Sequence, residues 1–419
     1  MVVTGTLTLT DGSFDSTGII DARGNITQAS TFDGGSATID FGNDSVAQTY
    51  TINGGIGPNV RYDSAADAND TIVMNAAGGI YGLTLASGFS GTLQLTNPSN
   101  YTLTLREGGY TQAAGTFQGG AYTMEINGVG QDVGHFTITG GTFNAASTTL
   151  FSGWRNIYNV ATTTTFDNVT ISKVTGQWLR ISAGDTMVVT GTLTLTDGYL
   201  DGNTGFVDAR SNVVQNAGFD LSGNNSSILD FGNDSVAQTY TINGGIGPNV
   251  RYNSAADAND TIILNTAGGL AGLTLAAGFS GTVQPTNATG STFTIYGSGY
   301  TQAAGTFQGG AYTMNLYSTD FNNGNFTITG GTFNAASTTQ FSNYRSTYDV
   351  ASTATFDNVT INKMNGQYLR ISAGDTMVVT GTLTLTDGYL DGNTGFVDAR
   401  GNITQAATFD DSGSGSSIL

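Results

Sequence analysis

The chain has 419 residues, with 61 Gly, no Cys, 10% charged residues and a formal net charge of −19. The absence of cysteine excludes disulfides, thiol chemistry and Cys-ligated zinc, and the acidic balance excludes nucleic acid and anionic membranes as partners. All but two of the 31 acids are Asp (the exceptions are Glu107 and Glu125), and Lys173 and Lys363 are the only lysines, so the residues that favour helix interiors are scarce.

In chain order, short segments alternate apolar and polar residues. Val3, Leu7 and Leu9 are read on one face of VVTGTLTLT, with Thr6, Thr8 and Thr10 on the other. Leu83 and Leu85, Leu93 and Leu95, and Leu103 and Leu105 follow, then Tyr122, Met124 and Ile126, Phe136 and Ile138, and Leu179 and Ile181. A period of two predicts half-buried strands. The dipeptides DG, GG, SG and NG between them predict turns. No stretch has the roughly 18 to 20 apolar residues of a membrane-spanning helix. No basic segment followed by an apolar run opens the chain, so a secretion signal is expected outside this sequence.

The sequence repeats. MVVTGTLTLTDG begins at Met1, Met187 and Met377, and FGNDSVAQTYTINGGIGPNVRY begins at Phe41 and Phe231. TQAAGTFQGGAYTM begins at Thr111 and Thr301, and FTITGGTFNAASTT at Phe136 and Phe326. The unit is 190 residues long, and the first copy is four residues shorter. The expected organisation is one continuous solenoid made of unit 1 (1–186), unit 2 (187–376) and the start of unit 3 (377–419). Both ends fall inside the repeat, so the chain is expected to be a piece of a longer array. Differences between copies cluster near residues 76–81, 98–108, 125–135, 150–159 and 172–178. Their spacing of roughly 20 to 27 residues is that of one solenoid coil, which predicts a variable lateral face.

The run FDNVTINKMNGQYLRISAGDTMVVTGTLTLTDGYLDG, Phe356 to Gly392, has a full counterpart at Phe166 to Gly202 and a partial one at Met1 to Asp15. It resembles a recurrent pattern of very large bacterial surface proteins, the autotransporter-like and haemagglutinin-like repeat adhesins. The resemblance implies a right-handed parallel β-helix, an extracellular or cell-surface location, and an adhesive or scaffolding role. It transfers no functional residues.

Chemistry is sparse. His135 is the only histidine and its counterpart is Asn325, so no His-based triad or metal cluster recurs. Aspartates such as Asp167 with Asp185, or Asp67 with Asp70, and arginines such as Arg61 and Arg251, recur faithfully between copies. Tandem duplication of this kind fits a structural array better than an active site, and no catalytic residue is assigned. Calcium is the one cofactor the residues bring to mind, at Asp201 and Asn203 and at their copies Asp391 and Asn393, although the remainder of a calcium loop is missing. Outward Thr-x-Thr segments would suit ice binding only if every coil carried them in register. Trp154 and its counterpart Tyr344, Trp178 and its counterpart Tyr368, and the outward Arg180 and Arg370 are the candidate surface-contact residues. Sequons occur at Asn25, Asn168, Asn287 and Asn358.

The sequence therefore predicts an all-β, right-handed parallel β-helix (β-solenoid), built from tandem units and non-enzymatic. Its expected role is a fibre, sheath or stalk outside the cell. Self-association, end to end or lateral, is the expected partnership. Binding of surface glycans or a host through the variable face is the alternative, and a polysaccharide-active enzyme and an ice-binding protein are remote ones.

Overall fold

The computed structural model describes residues 1–14, 17–41, 46–63, 69–96, 101–161, 163–202, 204–220, 227–232, 236–253, 259–287, 290–351, 353–392 and 395–410. All regular structure among these residues is β-strand, and the strands pair in parallel. Two compact units, Met1–Val207 and Asp208–Leu419, are distinguished. Each is a parallel β-solenoid with about 23 residues per turn.

Within the first unit the coils stack in register. Val2 lies beside Asp21, then follow Asp40, Arg61, Thr84, Thr111, Thr137 and Asn159, each bonded to the coil before it. A second stack carries Leu7, Ile26, Tyr50, Ile72 and Leu95. A third grows from the first half of strand Thr102–Gln112 and continues through Thr123–Gly128, Thr148–Gly153 and Asn168–Lys173. The second unit repeats the first column as Asp230, Arg251, Thr274, Thr301, Thr327 and Asp349.

Alternation sends every second residue inward. In the first unit Val60, Leu83, Tyr110, Phe136 and Tyr158 form one buried column. Tyr110 and Phe136 stack with centroids 5.2 Å apart, and Phe136 and Tyr158 stack at 5.7 Å. Adjacent parallel strands lie about 4.8 Å apart, so identical ring positions on successive coils stack face to face. The second unit builds the same stack from Tyr300, Phe326 and Tyr348, at 5.3 and 5.6 Å.

The core is not wholly apolar. Gln112 is buried and donates through Nε2 to the carbonyls of Gly115 (3.1 Å) and Thr142 (3.0 Å), while its Oε1 accepts from Tyr110 Oη at 2.8 Å. Gln302 and Tyr300 repeat the arrangement. These amides add a second hydrogen bond to the Gly115 and Gly305 carbonyls, which already accept the Thr142 and Thr332 N–H groups, and so spend their own polar atoms inside the core.

Two expectations change. Val3 and Leu7 do not share a face: Val3 pairs with Ala22 in the first stack and Leu7 with Ile26 in the second. The intervening Thr4-Gly5-Thr6 carries the chain around a corner, so alternation cannot be counted across it. Asp197-Gly198 does not separate two strands either. Strand Leu193–Gly202 runs through it, with its first half paired to one stack and its second half to another. The corner is made by Gly198 at φ +77°, whose N–H is bonded to Asp197 Oδ1 at 2.7 Å. A Cβ there would lie 2.4 Å from Lys173 Cβ, so only glycine fits.

Replacing Phe136 by Ala should lower the unfolding free energy by about 3–5 kcal/mol, because it empties the centre of the ring stack. The outward neighbour change Thr137→Ala should stay within about 0.5 kcal/mol. Urea unfolding followed by circular dichroism reads both.

Candidate interaction surface

The differences between the two copies are in register. In the first unit the outer column of the third stack is Thr104, Glu125, Leu150 and Thr170. In the second it is Thr294, Asn315, Gln340 and Thr360. Two residues further along each strand, Asn127, Ser152 and Ser172 are matched by Tyr317, Ser342 and Asn362. Inward neighbours such as Ile126, Phe151 and Ile171 stay apolar in both, as Leu316, Phe341 and Ile361. In the second unit this stack forms an open groove of about 310 Å³ lined by Asn315, Tyr317, Gln340, Ser342, Lys363 and Asp387, among others.

The corner beside the stack holds the aromatic and arginine candidates. Trp154 is 40% exposed and follows strand Thr148–Gly153. Trp178 points outward with Arg180 yet is only 5% exposed. Two guanidiniums cover it, Arg180 at 4.2 Å and Arg155 at 5.4 Å from the ring centroid. Cations over an indole face are held by the ring quadrupole. Arg180 in turn bonds Asp201 on the next coil at 2.6 Å, and Arg155 Nε donates to Gln177 Oε1 at 3.0 Å. Trp178 is thus the packed base of the patch and Trp154 its exposed ring.

In the second unit Tyr368 packs at a tilt against Tyr389, with centroids 5.3 Å apart, and Arg370 lies 4.9 Å from the Tyr368 centroid while bonding Asp391 at 2.6 Å. Arg345 lies over Phe321, which is 53% exposed and meets Tyr344 edge-on at 5.5 Å. Phe321 replaces Gln131 of the first copy, and this exposed ring was visible in the sequence only as loop drift.

The remaining candidates have structural partners. Asp201 and Asp391 are the anions of these arginine pairs, and Asn203 and Asn393 lie outside the described residues. Among the described residues no cluster of three or more His, Cys, Asp or Glu side chains is placed to hold a metal. Asp185 is buried and its Oδ2 accepts the Val160 N–H at 2.8 Å, with burial raising its pKa, whereas Asp167 is exposed. Asp70 accepts the Gln48 N–H at 2.7 Å, and Asp67 lies outside the described residues. His135 is half-buried, its Nδ1 accepts the Ile157 N–H at 3.2 Å, and burial lowers its pKa. Asn325 does the same for Thr347 through Oδ1 at 2.8 Å, which explains how asparagine replaces the histidine. Asn168 and Asn358 spend both ends of their amides on backbone: Oδ1 accepts from Thr192 and Thr382, and Nδ2 donates to Ser147 and Ser337. Threonine columns are short, with Thr84, Thr111 and Thr137 bounded by Arg61 and Asn159.

Sequence reading missed the lysines. Lys173 and Lys363 are 2% and 1% exposed, and burial pushes both amines down to about 7. Lys363 Nζ donates to the Ser342 carbonyl (3.1 Å) and to Ser346 Oγ (2.8 Å). The signal was present: in NVTISK and NVTINK each lysine falls in phase with the inward Val and Ile. No family model, no curated protein and no solved structure matches the chain.

Two measurements follow from these placements. In Trp154→Phe the remaining indole is covered, so iodide should quench its fluorescence little, whereas in Trp178→Phe the remaining indole should be quenched readily. For Lys363, the unfolded chain keeps the amine protonated up to about pH 10.4. The folded state releases that proton near 7, so the unfolded state binds more protons in between and stability rises with pH across that window. The penalty is complete below pH 7. Between pH 7 and 9 the unfolding free energy should therefore rise about 2–3 kcal/mol more in the native chain than in Lys363→Met.

Proposed function

We propose that this chain is an extracellular structural repeat protein, a segment of a fibre, sheath or stalk at a cell surface, with an adhesive lateral face. One observation carries the reading. The two copies keep the inward apolar positions of the third stack apolar, while changes in register fall on its outer columns and on the aromatic–arginine corner beside it. Arrays under structural selection alone have no reason to confine change to one face. A contact surface that diversifies between repeats does, while the hydrogen-bonded core stays fixed. Catalysis is not part of the proposal, because Asp70 and Asp185 are engaged with backbone, and Asp40, Asp201, Asp230 and Asp391 with arginines. The resemblance to autotransporter-like and haemagglutinin-like adhesins supports the same location and role. Partners are further copies of the chain, along or beside the stack.

The second reading, a carbohydrate- or host-binding module, is favoured by the polar groove over Asn315 and Gln340 and by exposed Trp154 and Phe321. Rings of this kind stack on sugars and amides bond hydroxyls. Glycan-array binding before and after exchanging residues 98–108 and 125–135 between copies separates the two; residues 98–100 of that exchange lie outside the described residues. The structural reading predicts concentration-dependent assembly by sedimentation and no glycan affinity. Defined glycan binding that follows the exchanged segments would establish the second reading instead. Neither assembly nor binding would remove the proposal altogether.

A further inference from the structure

The buried corner beneath Gly198 brings together an amine and a carboxamide in the first unit only. Lys173 Nζ donates to the Ser152 carbonyl at 2.5 Å and contacts Asn156 Oδ1 directly. Asn156 is fully buried, and its Nδ2 is held by the carbonyls of Gly134 (2.5 Å) and Val133 (3.3 Å). The carboxamide is thereby fixed with its oxygen against the amine, and Cγ lies one bond beyond that contact. Glu125, one of the two glutamates, lies in the outer column and reaches the cluster only through Ser152: Oε1 accepts from Ser152 Oγ at 2.5 Å and from Asn127 at 3.2 Å, and Oε2 from Thr104 at 2.8 Å.

We propose that Lys173 and Asn156 condense into an intramolecular isopeptide bond. The Nζ lone pair attacks Asn156 Cγ, the new Nζ–Cγ bond forms, and the Cγ–Nδ2 bond breaks. One proton passes from Nζ to the departing nitrogen, ammonia leaves, and no oxidant or co-reactant is consumed. Three conditions for such a reaction meet here. The nucleophile is desolvated, so a large fraction is uncharged at neutral pH. The partners are held in contact, which supplies the proximity that makes a slow amide exchange feasible. Water is excluded, so hydrolysis does not compete. The product would tie the start of strand Asn156–Val160 to the end of strand Asn168–Lys173 across one coil.

The second unit is the built-in control. It keeps the buried lysine as Lys363 but replaces Asn156 by Ser346 and Glu125 by Asn315, and the amine is bonded to the Ser346 hydroxyl where the first unit offers a carboxamide. Serine at this position is compatible with the fold, and Asn156→Ser is therefore the informative variant.

The experiment is intact-mass spectrometry of the full chain, followed by proteolysis under denaturing conditions and sequencing of any branched peptide. The expected result is a mass lower than the sequence mass by one ammonia, with a branched peptide joining residues 156 and 173. Asn156→Ser and Lys173→Met should restore the full sequence mass, and Lys363→Met should retain the deficit. A folded native chain of full sequence mass after prolonged incubation at pH 8 overturns the proposal. So does a deficit without the branched peptide, as a succinimide at an Asn-Gly pair would give, and so does a deficit that persists in Asn156→Ser.

Discussion

A coil of this protein can satisfy its backbone only by hydrogen bonding to the coil before it and the coil after it. A parallel ladder spaces those bonds evenly, and the side-chain alternation of two leaves no freedom to slip by one residue without turning the core outward. Between the register shifts at corners such as Leu105 to Gly109, residues are consequently placed on a like position of their neighbour, as Thr84 is placed on Thr111 and Thr111 on Thr137. The ring stacks, the corner amides and the surface columns all follow from that register.

Placing like upon like has costs that the sequence manages locally. Asp21 sits beside Asp40, a like-charge contact in a chain of net charge −19. Arg61 on the following coil takes Asp40 in a two-point pair at 3.1 and 2.5 Å, and Arg251 treats Asp230 in the same way. Exposed pairs contribute at most about 1 kcal/mol each, so they set spacing and neutralise neighbours more than they hold the fold. Rings gain from the same arrangement, because the coil spacing matches the distance at which aromatic faces attract. A buried lysine does not gain: both Lys173 and Lys363 carry that cost, and only Lys173 meets a carboxamide.

Much of this was legible in the sequence. The period of two and the 190-residue repeat announced a parallel solenoid. Alternation failed where the chain turns corners: Val3 and Leu7 look like one strand because Thr4-Gly5-Thr6 is as polar as an outward position. Composition also hid the polar interior. Gln112 and Lys173 are inward by phase but polar by type, and a reading that equates inward with apolar passes over them. The cover on Trp178 could not be foreseen, since Arg155 reaches it from the preceding coil and that neighbour is fixed only by register.

The account stands or falls on that register, and paired cysteines in this cysteine-free chain test it most directly. Thr84→Cys with Thr111→Cys places two thiols on adjacent coils, within the Cα separation a disulfide spans. Thr84→Cys with Thr137→Cys places them two coils apart. Mild oxidation of the dilute monomer should cross-link the first pair rapidly within one chain and leave the second reduced. Equal cross-linking of both pairs, or none in the first, would contradict the in-register parallel stack.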